Sequence, residues 1–152
     1  LLWGDVGTGK SFIAGCIANA LLDKGVPVIM TNFARLLNKL TDMYAGDRNA
    51  YTDSFKRYPL MIIDDLGVER NSEFAREQVF GVIDSRYRSE LPMIVTTNLT
   101  LEELQHPEDL SRSRIYDRIL ERCLPIRVNE QNIRELNQAA VLARAKQLLC
   151  ST

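Results

Sequence analysis

Eight consecutive residues carry the most legible chemistry in this chain: Gly4-Asp5-Val6-Gly7-Thr8-Gly9-Lys10-Ser11. They satisfy the spacing G-x-x-x-x-G-K-[ST] at every fixed position. Glycines at those places let backbone N–H groups turn inward toward an anion, and a following helix adds the positive end of its dipole. Lys10 then reaches the β- and γ-phosphates of a nucleoside triphosphate, and the Ser11 hydroxyl ligates Mg²⁺. The phosphate-binding set is Gly4, Asp5, Val6, Gly7, Thr8, Gly9, Lys10 and Ser11, with Phe12 directly behind it. An ordinary glycine-rich turn beside a surface lysine is the plainer alternative. The flanks argue against it. Leu1-Leu2-Trp3 reads as the end of a buried strand, and Phe12, Ile13, Cys16, Ile17 and Leu21 recur at helical spacing.

A pair of acids answers the loop. Leu60-Met61-Ile62-Ile63 reads as a fully buried strand that runs into Asp64-Asp65-Leu66-Gly67. Asp64 ends the strand and can hold Mg²⁺ through water, while Asp65 can orient or deprotonate an attacking water. Two acids opening a solvated turn would look the same. Asp65 is one methylene shorter than the glutamate more common for such a base, so hydrolysis is expected to be slow and to act as a timer. Thr96-Thr97-Asn98 closes the next strand. The Asn98 amide could there contact the γ-phosphate or the lytic water, against the ordinary reading of a turn asparagine. Thr31-Asn32 offers a further polar group at the same edge.

Arg114, Arg118 and Arg122 recur every four residues and share one stripe of a helix, beside a buried stripe of Ile115, Ile119 and Cys123. Asp117 and Glu121 could neutralise part of that face, which makes a solvated helix the alternative. Five arginines against two acids between Ser111 and Arg127 fit an arginine finger given to a neighbouring subunit's nucleotide.

The elements that must position these groups follow from periodicity and turn chemistry. A first helix over Ser11 to Asp23 stops at Lys24-Gly25, and Val26 to Thr31 is a buried strand. Phe33, Leu36, Leu37, Leu40 and Tyr44 mark a second helix capped by Asn32. Ala45 to Tyr58 reads as a mobile loop or short irregular helix. A third helix over Ser72 to Arg88 faces inward through Phe74, Val79, Phe80, Ile83 and Tyr87. Pro92 to Thr97 is a strand, Thr100 opens a short capped helix, and Arg112 to Cys123 is another. Pro125 to Val128 is a strand, and Asn129 caps a final helix to Leu149. Alternating strands and helices imply an α/β fold with a parallel sheet covered on both faces. The ligand then lies at the carboxyl ends of the strands, where the loop, Asp64-Asp65 and Asn98 all fall.

The chain has 152 residues, one domain's worth, and 45% hydrophobic content. A net charge of −1 excludes a globally basic nucleic-acid binder. A local patch remains for single-stranded DNA: Arg35, Lys39, Arg48, Lys56 and Arg57 interleave with Tyr44, Tyr51, Phe55 and Tyr58. Cys16, Cys123 and Cys150 form no metal spacing, and the first two read as buried hydrophobes. The sole histidine, His106, makes a transition-metal site improbable. No apolar run reaches the length of a membrane span and no signal peptide is present, which reads as cytoplasmic. The absence of methionine three residues before the phosphate loop reads as truncation at the amino end.

GDVGTGKS, LMIIDDLG, IVTTN and RIYDRILERC, in this order and spacing, resemble the DnaC/IstB family of AAA+ ATPases. The resemblance covers Leu1 to Arg134 and implies a P-loop αβα core (AAA+ core) of five parallel strands, with ATP and Mg²⁺. It implies self-assembly into rings or spirals. By motif match Asp64 and Asp65 take the Walker B roles, Asn98 is sensor 1, Arg118 is the finger with Arg114 second, and Arg134 matches a late sensor arginine. The expected function is an ATPase switch that loads a replicative helicase onto single-stranded DNA. A transposition helper acting with a transposase on duplex DNA is the rival. In either case the partner is recognised by an amino-terminal domain missing from the sequence. Outside the family, a P-loop kinase would need an arginine-rich lid, and a GTPase would need N-K-x-D; neither is found. A nucleotide-binding module that never hydrolyses stays open through Asp65.

Overall fold

One strand explains how the sheet is covered. Leu60, Met61, Ile62 and Ile63 alternate between two faces, and all four are buried. Met61 and Ile63 join the larger core with Phe33, Leu36, Val79, Ile83, Ile115 and Ile119. Leu60 and Ile62 join a smaller one with Leu2, Ala14, Ala18 and Val128. A strand apolar on both sides needs helices on both sides, and this one has them.

In this computed structural model, residues 1–67, 72–107 and 109–129 are described. Strands β1 (Leu2–Trp3), β2 (Val28–Asn32), β3 (Leu60–Leu66), β4 (Met93–Thr97) and β5 (Ile126–Arg127) form one parallel sheet in the order β2-β3-β4-β1-β5. Helix α1 (Lys10–Leu22) covers one face. Helices α2 (Phe33–Thr41), α4 (Glu73–Arg88), α5 (Leu101–Gln105) and α6 (Leu110–Arg122) cover the other. Register sets Trp3 opposite Thr97, Asn32 opposite Asp64 and Leu66 opposite Thr97, so these strand ends lie along one edge. Among the described residues no helix is long and apolar enough to cross a membrane.

Local chemistry explains most helix starts. The Asn32 side chain accepts from Arg35 N–H at 2.9 Å, and Thr100 with Glu103 forms a reciprocal capping box. The Thr100 N–H and hydroxyl hold the Glu103 carboxyl below its usual range. Asp109 caps α6 by accepting from Arg112 N–H at 2.8 Å, so that helix begins two residues before the expected Arg112.

Several expectations are corrected. Of the two readings offered for Ala45 to Tyr58 the structure takes the helical one, with Ala45–Ser54 as helix α3 followed by a 3₁₀ turn at Phe55–Arg57. Tyr44 lies outside α2 and is 85% exposed. Helix α1 packs through Ala14 and Ala18, while Phe12, Ile13 and Ile17 face outward and Cys16 is exposed. Small residues win there because a helix lying close on a sheet has no room for longer ones. In α4 the buried residues are Ala75, Val79, Val82, Ile83 and Arg86; Phe74, Phe80 and Tyr87 are only half-buried. The helix expected from Asn129 to Leu149, with Arg134 on it, lies outside the described residues.

Arg86 has no signature in the sequence. It is 2% exposed, and among the described residues it donates to main-chain carbonyls. Nε reaches Pro92 at 3.1 Å, Nη1 reaches Phe55 and Tyr58 at 3.2 and 2.9 Å, and Nη2 reaches Pro59 and Pro92 at 2.9 and 2.6 Å. Burial pushes its pKa down, but an arginine stays charged in proteins. The guanidinium thus ties the end of α3 and the entries to β3 and β4 onto α4. Arg86→Leu strands several buried carbonyls at about 1–3 kcal/mol each, so a loss of ~4 kcal/mol is expected in urea unfolding. Arg86→Lys, with three donors for five bonds, should recover only part of it.

Candidate functional site

The loop between β1 and α1 is shaped by two glycines for different reasons. Gly4 has φ 142°, and a Cβ there would clash with the carbonyl oxygen of Val128, just past β5. Gly9 ends the loop at φ 94° as the residue before α1, in left-handed backbone that glycine adopts without strain. Between them the Thr8 hydroxyl donates to the Asp5 carbonyl at 2.9 Å and closes the turn. Lys10 is buried at 6% exposure, with Nζ 2.8 Å from the Gly4 carbonyl and 2.6 Å from the Asp5 carbonyl. The ammonium therefore sits in the curve of the loop, at the amino end of α1, where an anion would gain both its charge and the helix dipole.

Ser11 links this loop to β3. Its hydroxyl donates to Asp64 Oδ1 at 2.8 Å, across 53 residues of sequence. Asp64 and Asp65 both lie within β3, at the place where its register with β4 shifts. The expectation that Asp64 ends the strand is thus corrected by two residues, to Leu66. The shift is a bulge, and bulges re-aim side chains. Asp65 has φ 58°, a left-handed backbone costing about 1–3 kcal/mol in a non-glycine residue. The bulge turns Asp64 toward Ser11 and leaves Asp65 exposed.

Thr96 is the participant that residue-by-residue reading passed over. It is 0% exposed; its hydroxyl donates to Asp64 Oδ1 at 2.5 Å and accepts the Asp65 N–H at 3.0 Å. Thr97 donates to the Leu66 carbonyl at 2.8 Å and accepts the Leu99 N–H at 3.1 Å. Asn98 follows, exposed, at the same edge. The hard oxygen donors of Ser11 and Asp64 suit Mg²⁺ far better than a transition metal. Among the described residues no cluster of three or more His, Cys, Asp or Glu offers another metal site. Asn32 is occupied as the cap of α2.

The arginine stripe is neither a bare solvated face nor near the loop in sequence. Arg118 Nε lies 2.7 Å from Asp84 Oδ1, and its guanidinium stacks 4.6 Å from the Phe80 ring and 5.4 Å from Tyr87. Arg114 stacks on Phe80 at 4.7 Å and Arg122 on Tyr87 at 5.1 Å. This is why Phe80 and Tyr87 are only half-buried: they receive arginines across the α4–α6 contact. Arg114 also lines a cavity of about 290 Å³ with Glu73, Arg76, Glu77, Phe80 and Ser111.

The basic and aromatic patch expected to meet single-stranded DNA is partly engaged within the chain, while Arg35, Lys39, Tyr44, Lys56 and Arg57 stay exposed. Arg48 donates to the Leu40 and Met43 carbonyls and lies 4.9 Å over Phe74. Lys56 pairs with Asp53 at 2.5 Å, Lys39 lies 5.1 Å over Tyr51, and Arg57 lies 5.2 Å over Tyr58. Phe55 is buried against Tyr51.

Comparison with known proteins accords with this geometry. The model of a family described as IstB-like ATP binding protein matches residues 1–140. The replicative helicase loader DnaI of Bacillus subtilis (strain 168) is 31% identical over 147 residues, 88% of this chain and 46% of its own. The replicative helicase loader DnaC of Escherichia coli (strain K12) is 29% identical over 122 residues, 76% of this chain and 47% of its own. The chain therefore spans about half the length of these curated relatives. The crystal structure of DnaI superposes with a TM-score of 0.70 at 25% identity, over 87% of this chain and 71% of that one. The five parallel strands and their helices are thus the P-loop fold of AAA+ domains.

Proposed function

This chain belongs to the family of IstB-like ATP-binding proteins, and from that premise we propose that it is an ATP-driven switch that loads a replicative helicase onto single-stranded DNA. ATP binds with its phosphates in the Gly4–Ser11 loop, Lys10 neutralises the β- and γ-phosphates, and Phe12 lies beside the nucleotide. Ser11 and Asp64 hold Mg²⁺, which when bound neutralises charge developing between those phosphates. Asp65 orients and deprotonates the lytic water, and Asn98 reads the γ-phosphate. Hydrolysis is slow. Assembly with further copies brings Arg118, with Arg114 behind it, to a neighbour's nucleotide.

The observation that carries this reading is the 2.8 Å bond between Ser11 and Asp64, which joins the phosphate loop to the acidic pair. The helicase-loading half is supported by the similarity to DnaI and DnaC. The rival role, an ATPase helper of transposition, rests on the resemblance to the IstB side of the same family. Filter binding in the presence of ATP separates them: a loader prefers single strands, a transposition helper duplex.

Lys10→Ala tests the nucleotide site directly. The variant loses the charge-assisted bonds to two phosphates, at about 1.5–3 kcal/mol each, so ATP affinity should fall ~100-fold or more. Calorimetric titration giving the parental affinity would sink the assignment of the loop.

A further inference from the structure

Thr96 lies one strand away from the acids, buried completely, and its hydroxyl is bonded on both sides. The proton goes to Asp64 Oδ1 at 2.5 Å, and a lone pair receives the Asp65 N–H at 3.0 Å. A hydroxyl has only one proton to give, so each bond fixes the direction of the other. Asp64 Oδ1 is held between two hydroxyl donors, Thr96 and Ser11. The other bond acts on the next residue. It pins the peptide that enters Asp65, whose φ of 58° lies inside the register shift between β3 and β4. A non-glycine residue persists in such backbone only where its surroundings over-determine it.

We propose that Thr96 is a positioning residue for the reaction. One buried hydroxyl turns the Asp64 carboxylate toward Ser11 and, through the Asp65 amide, keeps the bulge that presents the Asp65 carboxylate. The two threonines at the end of β4 divide the work. Thr97 bonds to the Leu66 carbonyl and the Leu99 N–H, and so repairs the ladder where the bulge breaks it. Of the two, Thr96 is the one bonded to the acids. Because Asn98 is two residues further along the chain, just past the end of β4, any displacement of this strand end moves both acids together with it. The inference deepens the metal and base roles proposed for Asp64 and Asp65 and rests on them.

Thr96→Val keeps the shape and removes both bonds, while Thr96→Ser keeps the hydroxyl. The readout is the affinity for a non-hydrolysable ATP analogue, measured first with chelator and then with Mn²⁺. In the parent, the metal should tighten binding. Thr96→Val should keep the metal-free affinity within about twofold and lose ~10-fold of the metal-dependent gain, the scale expected when a group that orients a ligand is removed. Thr96→Ser should hold that gain to within about threefold. If Thr96→Val does not fold, the comparison is made on Asp65→Gly, since glycine takes the left-handed backbone without help. A gain in Thr96→Val within about twofold of its reference, or a serine variant as poor as valine, overturns the role of Thr96 alone. A parent with no metal-dependent gain overturns the metal reading of Ser11 and Asp64 and this inference with it.

Discussion

Asp65→Asn should bind ATP like the parent and release phosphate ~10²–10⁴-fold more slowly, the usual contribution of a positioned general base. The backbone makes this a clean test. Asparagine is, with aspartate, among the few non-glycine residues enriched in left-handed conformation, so the φ of 58° at this position survives the change. The Asp65 N–H still donates to Thr96, and Asp64 still accepts from Ser11. Only the proton acceptor is lost. Single-turnover phosphate release at the parental rate would show that Asp65 is not the base, and would favour a module that binds nucleotide without hydrolysing it through this residue.

Turnover per subunit should rise with protein concentration, and Arg118→Ala should bind ATP normally yet remain slow, by ~10³-fold, at every concentration. The geometry adds a condition. Arg118 is held by Asp84 and two aromatic rings of its own chain. Each of these contacts is worth about 1 kcal/mol, so a neighbour's γ-phosphate must outcompete them with a charge-assisted, bidentate contact. Mixing Arg118→Ala with Lys10→Ala should restore part of the activity, because one variant keeps the nucleotide site and the other keeps the finger. If co-assembled mixtures stay as slow as either variant alone, Arg118 serves only the contact between α4 and α6.

The amino-acid sequence by itself determined the elements and their order, because those depend on local rules. The glycine spacing of the phosphate loop, the apolar run Leu60–Ile63, the caps at Asn32 and Thr100, and the stripe Ile115, Ile119 and Cys123 each depend on neighbours within a few residues. The coincidence of the loop, the acids and Asn98 at one sheet edge followed from alternation alone, since parallel strands put their carboxyl ends together. Tertiary structure decided what two distant segments do to each other. It lengthened β3 through both acids by a bulge, because pairing with β4 and the Thr96 hydroxyl bring partners from thirty-odd residues away. It turned Phe80 and Tyr87 from expected core into stacking surfaces, because the arginines of α6 cover them. It buried Arg86 while leaving Phe12 and Ile17 outside. Hydrophobicity ranks a residue's wish to leave water, but burial goes to the side chain whose size and bonding the packed neighbour can satisfy. Five bonds to four carbonyls satisfied an arginine; a close helix on a sheet buried Ala14 and Ala18.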